Sequence, residues 1–233
     1  MVKKLNNIDE NIFSTNDVYG YKYKPLQLST IYTKFFCKLP ADNQFVILLH
    51  GKPFSGKSSF ALRLANELSR YKVLFANLEE KVGPTLQRKL LTLRIMRKID
   101  FLKDNTFFNM QNIIKENKYK FVIIDSVSVF CRKEDEISEL FNYIHSVPNT
   151  NFILIAHQTK AGSYRGSTNL AHLSDITIKL DDGIATTTKN RFLADNKIPE
   201  FYIYENKISY NSNNISNLNN RKKNGNFWNI TRK

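Results

Sequence analysis

The chain has 233 residues, and its 35 Lys and Arg against 21 Asp and Glu give a formal net charge of +14. That length suits one α/β domain with appendages and excludes two domains of full size. An apolar content of 42% excludes wholesale disorder, and no window holds the roughly 20 uninterrupted apolar residues of a spanning helix, so no membrane role is expected. The basic balance points to a polyanionic partner such as nucleic acid, with a Lys-rich solvated surface as the ordinary alternative. Cys37 and Cys131 are too few for a disulfide framework or a zinc site. Met1–Asn7 has no apolar stretch behind its lysines, so a cytoplasmic setting is expected.

In chain order, residues 1–40 lack strong periodicity and read as an N-terminal arm or oligomerisation segment. Tyr19–Pro25 reads as extended, aromatic and basic, and Leu28–Lys38 as a short amphipathic stretch. A core domain is expected over 41–210. Phe45–Leu49 is an apolar strand that runs through His50 into Gly51-Lys52-Pro53-Phe54-Ser55-Gly56-Lys57-Ser58-Ser59, and a helix follows from Phe60. A strand that delivers G-x-x-x-x-G-K-S to a helix N-terminus is the context of a phosphate-binding P-loop. There the glycines let backbone N–H groups curl around phosphate oxygens, Lys57 reaches the β- and γ-phosphates, and Ser58 offers its hydroxyl to Mg²⁺. ATP and Mg²⁺ are therefore the expected cofactors.

Further along, Tyr71–Leu78 reads as a second strand ending at Glu79 and Glu80. Pro84 is placed to start a helix from Thr85 to about Lys98. A short helix is expected around Asn109–Glu116. The apolar run Lys120–Ile124 then ends in Asp125, a carboxylate at the sheet edge where ligand sits, suited to hold the metal ion together with Ser58. A helix from Glu134 to His145, a strand Asn151–Ala156 and a strand Asp175–Leu180 follow. Asp181-Asp182-Gly183 signals a turn into antiparallel strands at Ile184–Phe192 and Glu200–Tyr210. Residues 211–233 form an Asn-rich basic tail without an acid, expected to be disordered.

Four strand-end signatures in this order resemble RecA-like P-loop ATPase cores. Leu78-Glu79-Glu80 with Gln87-Arg88 resembles a segment of hexameric replicative helicases and RadA/Sms ATPases. Asp125-Ser126 resembles their Walker B element, and His157-Gln158-Thr159-Lys160 with Arg165-Gly166-Ser167 resembles small plasmid and phage helicase ATPases. Lys189-Asn190-Arg191-Phe192 is similar to the K-N-R-F motif of RadA/Sms. The resemblance covers about residues 40–210. The Cys₄ zinc module and C-terminal domain of RadA/Sms and the N-terminal collar of DnaB-type helicases have no counterpart in the sequence, which reads as a bare motor core of phage or mobile-element type.

The resemblance implies a RecA-like α/β fold with a mostly parallel sheet and C-terminal antiparallel strands. It implies that Glu79, with Glu80 as the alternative, polarises the attacking water and that Gln158 senses the γ-phosphate. Lys189 and Arg191 would reach the nucleotide of a neighbouring subunit, in a hexameric ring or filament. His157 reads as a packed strand-end histidine. Two loops carry cations beside aromatics, as single-stranded DNA binding asks: Phe130, Arg132 and Lys133 in one, Lys160, Tyr164 and Arg165 in the other. The implied function is an ATP-hydrolysing motor on DNA in replication or recombination, with a protein partner from those processes. The rivals are an ATP-switched loader or mediator without translocation and a KaiC-like signalling ATPase without nucleic acid.

Overall fold

The computed structural model describes residues 12–80, 82–102, 107–129, 131, 133–158, 169–193 and 199–210. Near the N-terminus are two short helices, α1 (Thr15–Gly20) and α2 (Thr30–Phe36). β1 (Val46–Gly51) leads into α3 (Lys57–Leu68), β2 (Val73–Asn77), α4 (Pro84–Thr92) and β3 (Asp100–Phe101). The chain continues as α5 (Phe107–Asn117), β4 (Phe121–Asp125), a 3₁₀ turn at Val127–Val129, α6 (Glu134–Ser146), β5 (Asn151–His157) and α7 (Asn169–Leu173). It ends in β6 (Ile176–Asp181), β7 (Ile184–Asn190), β8 (Pro199–Tyr202) and β9 (Lys207–Tyr210).

Among the described residues the strands form one sheet of nine in the order β3-β2-β4-β5-β1-β6-β7-β8-β9. The six strands from β3 to β6 run parallel, and β7, β8 and β9 add antiparallel to that edge. The fold is therefore the expected one, a mostly parallel sheet with antiparallel C-terminal strands. Its parallel strands are apolar on both faces because helices cover both. Odd-numbered residues of β1, β2, β4 and β5 pack with α2, α3 and α4, whereas even-numbered ones pack with α5, α6 and α7. No described helix is long and apolar enough to cross a membrane.

The structure corrects several expected boundaries. The division at residue 40 falls within a continuous core, because Leu26, Tyr32, Phe35, Phe36 and Leu39 are buried with Phe60 and Phe201. Phe35 meets Phe60 and Phe201 edge-on at centroid distances of 5.7 Å each. Part of the segment expected to be extended is helix α1, which has a capping box of Ser14 and Asp17. The helix expected to reach Lys98 stops at Thr92, where Arg94 turns to φ 52° and the Ile95 N–H donates to the Leu90 carbonyl. The single strand expected over Glu200–Tyr210 is a hairpin of two, turning at Ile203–Asn206, where Asn206 has φ 51°.

Candidate active site

The P-loop leaves β1 at the centre of the sheet, between β5 and β6. A Cβ on Gly51 would overlap the Leu180 carbonyl oxygen and lie 2.7 Å from Ser55 Oγ, so only glycine lets the loop start this close to β6. Gly56 is the N-cap of α3 at φ 96°, a left-handed conformation, and its Cα faces Ile203 and Gly183. The turn from β6 to β7 supports the loop from below, since the Gly183 N–H donates to the Ser55 carbonyl at 3.2 Å and the Ile203 N–H donates to the Gly183 carbonyl at 3.0 Å.

Lys57 is only 5% exposed, and its Nζ donates to the carbonyls of Gly51 at 3.1 Å and Lys52 at 2.7 Å. Burial lowers its pKa, opposed by the charges of Asp125 and Glu79. Burial likewise raises the pKa of Asp125, while a hydrogen bond with the Ser58 side chain acts in the other direction. The Asp125 carbonyl accepts from the N–H groups of Leu78 at 2.7 Å and Glu79 at 3.3 Å, which brings the end of β2 against the end of β4.

Glu79 stands over the loop. Its Oε1 accepts a hydrogen bond from Ser126 Oγ, and its two oxygens lie 2.8 and 3.0 Å from His157 Nε2. Glu80 points elsewhere, into a 2.6 Å ion pair with Lys89. Of the two acids the sequence left open, Glu79 is the one that lines the cleft. That cleft, of about 420 Å³, is bounded by Pro53, Phe54, Gly56, Lys57, Ser58, Ser59, Glu79, Lys89, His157 and Tyr204.

The expectation that His157 is packing is corrected, because it occupies the cleft beside the acid. Gln158 follows the strand's alternation to the other face. Its Nε2 sits 2.9 Å from His50 Nδ1, and its backbone N–H donates to the Gly51 carbonyl at 3.2 Å. His50 is buried, its pKa lowered to about 4 by desolvation and then by Lys179 and Lys57, so it is neutral and accepts from the Gln158 amide. Tyr204, 64% exposed on the turn between β8 and β9, reaches the cleft and was not singled out from the sequence. No pattern in the sequence marks it, because the fold alone brings Tyr204 beside Gly183.

Lys189 and Arg191 lie at the other edge of the sheet. Asn190 pairs with Ile176, which pairs with Ile47, so they stand about 13 Å along the strands from Gly51. Lys189 Nζ donates to the carbonyls of Ala171, His172 and Ser174 at 2.9, 3.0 and 2.5 Å, closing the end of α7. Arg191 Nη1 donates to Asp175 Oδ1 at 3.0 Å. The expected picture of two cations projecting together is corrected for Lys189, whose ammonium is engaged within its own chain. Lys133 is exposed at the start of α6. Phe130, Arg132, Lys160, Tyr164 and Arg165, and the tail 211–233, lie outside the described residues.

A strand-loop-helix phosphate cradle at mid-sheet, with carboxylates brought beside it from the ends of β2 and β4, defines a RecA-like P-loop ATPase core. The particular family is given by a family model that matches residues 58–230: the chain belongs to the family described as Elongator subunit Iki1. That match starts at Ser58 and leaves out Gly51–Lys57. The chain is also 25% identical over 177 residues to the DNA repair protein RadA of Salmonella typhimurium and 27% identical over 179 residues to that of Campylobacter jejuni. The alignments cover 68% and 67% of the chain but only 38% and 39% of those relatives' length. Among solved structures it is similar to a KaiC-like protein from Pyrococcus horikoshii, with TM-score 0.62, 17% identity and 82% of this chain and 100% of that chain covered. The flagellar accessory protein FlaH from Methanocaldococcus jannaschii gives TM-score 0.57 and 15% identity, with 82% of this chain and 99% of that one covered.

Proposed function

We propose that the chain binds ATP with Mg²⁺ in the cleft over the P-loop, hydrolyses it, and couples the cycle to single-stranded DNA as a self-assembling motor in replication or recombination. The observation that carries this reading is one cleft lined by Lys57, Ser58 and a hydrogen-bonded Glu79, with the Asp125 carboxylate buried behind it on the Ser58 side chain. The free N–H groups at the start of α3 and the Lys57 ammonium would hold the phosphates, and Tyr204 offers a ring against which the base can stack. Glu79 would take the proton of the attacking water, its carboxylate aimed by Ser126 and His157 so that little reorganisation is left for the reaction.

The donor set fits Mg²⁺. Ser58 and Asp125 supply oxygen ligands, and no described cluster of three His, Cys, Asp or Glu exists to cage an ion without phosphate. The ion would supply charge neutralisation at the β- and γ-phosphates. The RadA relatives, described as DNA repair proteins, support DNA as the partner, as does the +14 charge. Arg191, too far along the sheet to serve the nucleotide of its own chain, would complete the site of another copy in such an assembly.

The test is nucleotide binding and phosphate release with and without oligothymidine. Lys57→Ala is expected to lose binding, and Glu79→Gln to keep binding while turnover falls at least a hundredfold. Normal turnover in Glu79→Gln overturns the mechanism. The family description, which names a subunit, favours a second reading in which the fold serves an assembly without turnover. Tight binding by the wild type with no phosphate release in any assembly state selects it.

A further inference from the structure

The starts of β3, β2 and β4 carry a row of lysines. Val73 pairs with Phe121, so Lys72 and Lys120, each one residue earlier, are neighbours across about 4.8 Å. Their backbones are joined there, the Lys120 N–H donating to the Lys72 carbonyl at 2.9 Å. Leu74 pairs with Asp100, which brings Lys98, two residues before Asp100, level with Lys72. Lys115 and Lys118 at the end of α5 and Arg70 after α3 extend the row along the same edge.

Like charges on adjacent strand ends repel, and little opposes them here. Among the described residues, the acid that meets the row is Asp100. Asp100 already accepts from Tyr119 Oη at 3.0 Å and stands 3.9 Å from Lys98 Nζ, whose side chain is 90% exposed. Lys72 is held over the Tyr119 ring at 4.7 Å and donates to the Asn117 carbonyl, which fixes the middle of the row. Lys115, Lys118 and Lys120 have no acid partner among the described residues. Shallow depressions flank the Lys72 and Tyr119 ridge, one lined by Lys118, Tyr119 and Lys120, the other by Arg70, Lys72 and Lys98.

We propose that this lysine row is a docking strip for the sugar-phosphate backbone of single-stranded nucleic acid, on the edge of the sheet opposite the P-loop. A polyanion is the ligand that relieves repulsion among cations ranged along one edge, and release of its counterions drives the association. The strands separating the strip from the nucleotide cleft are five residues long, about 16 Å, so the two sites do not overlap. The proposal shares only the nucleic-acid partner with the proposed function and is tested without nucleotide.

The test is fluorescence anisotropy of labelled oligothymidine against the full chain over a salt series, comparing wild type with Lys98→Gln/Lys118→Gln/Lys120→Gln. This variant leaves the Lys72 contacts in place, and an unchanged melting temperature checks the fold. Affinity at low salt is expected to fall at least tenfold. The slope of log affinity against log salt should become shallower by about 2, the value for three lost phosphate contacts on a single strand. Equal affinity and slope in the two proteins, or no binding by the wild type at low salt, overturns the strip. Failure of the Lys57→Ala experiment leaves this readout unaffected, so the two readings fail separately.

Discussion

Lys189→Met separates two roles for one side chain. In the structure the ammonium closes the end of α7, a helix of 5 residues whose last carbonyls have no following turn to bond. A charged donor shared among such carbonyls is worth about 1.5–3 kcal/mol, and partial exposure lowers this to about 1–2 kcal/mol. For a chain of this size that corresponds to a melting temperature lower by about 2–8 °C. Arg191→Ala removes only a pair in which the arginine side chain is 56% exposed, so it should cost under about 1 kcal/mol. Circular dichroism melts of the two variants beside the wild type give the comparison. Phosphate release from mixtures then reads the trans role: Arg191→Ala and Glu79→Gln are each expected to be inactive alone and to regain part of the activity together, because mixed interfaces pair an intact arginine with an intact acid. A Lys189→Met variant that melts like the wild type yet has lost turnover would refute the structural role argued for Lys189. Mixtures that stay inactive would refute the trans role of Arg191.

Three further outcomes follow from the site. Gly51→Ala must push β6 away from β1, which should cost about 1–3 kcal/mol and lower the melting temperature by several degrees, measurable by thermal unfolding. His157→Ala should lower turnover about tenfold at unchanged ATP affinity, since Glu79 keeps its Ser126 contact but loses its second support; a rise in KM alone would contradict this. His50, lowered to about 4, binds fewer protons folded than unfolded between that value and its ordinary 6.5, so its contribution is full above 6.5 and is lost as pH falls towards 4, up to roughly 3 kcal/mol. Asp125, raised by burial, acts in the opposite sense, so the quantity to measure is the difference in urea stability between wild type and His50→Gln across that window.

Much of the site was legible because its elements are strand ends. An apolar run that stops at Gly51, Glu79 or Asp125 announces the edge where ligand sits, and no tertiary information is needed to see it. The place of His157 follows from the strand's alternation. Phe152, Leu154 and Ala156 face the layer of α5 and α6, so Gln158 goes with them, while Ile153, Ile155 and His157 face α3 and the loop. Counting by twos from the apolar residues would have assigned the two side chains. The two-residue β3 carries no periodicity to read, and α4 reads too long because Ile95 and Met96 continue the apolar pattern past the point where Arg94 reverses the backbone. Lys189 reads as a free cation in the sequence because its partners are backbone carbonyls 15 to 18 residues away, which side-chain identities do not reveal.

The hydrogen bond from Gly183 to Ser55 gives the outer hairpins a mechanical meaning. Ser55 belongs to the phosphate cradle, whereas Gly183 is the hinge of the strands that carry Arg191 at one end and Tyr204 just beyond the other. A displacement of the turn between β6 and β7 would therefore reach the floor of the cradle through this bond, and a shift of Ser55 would reach the hairpins by the same route. The residue at that junction is a glycine, and any other would bring a Cβ within 2.9 Å of the Tyr204 ring.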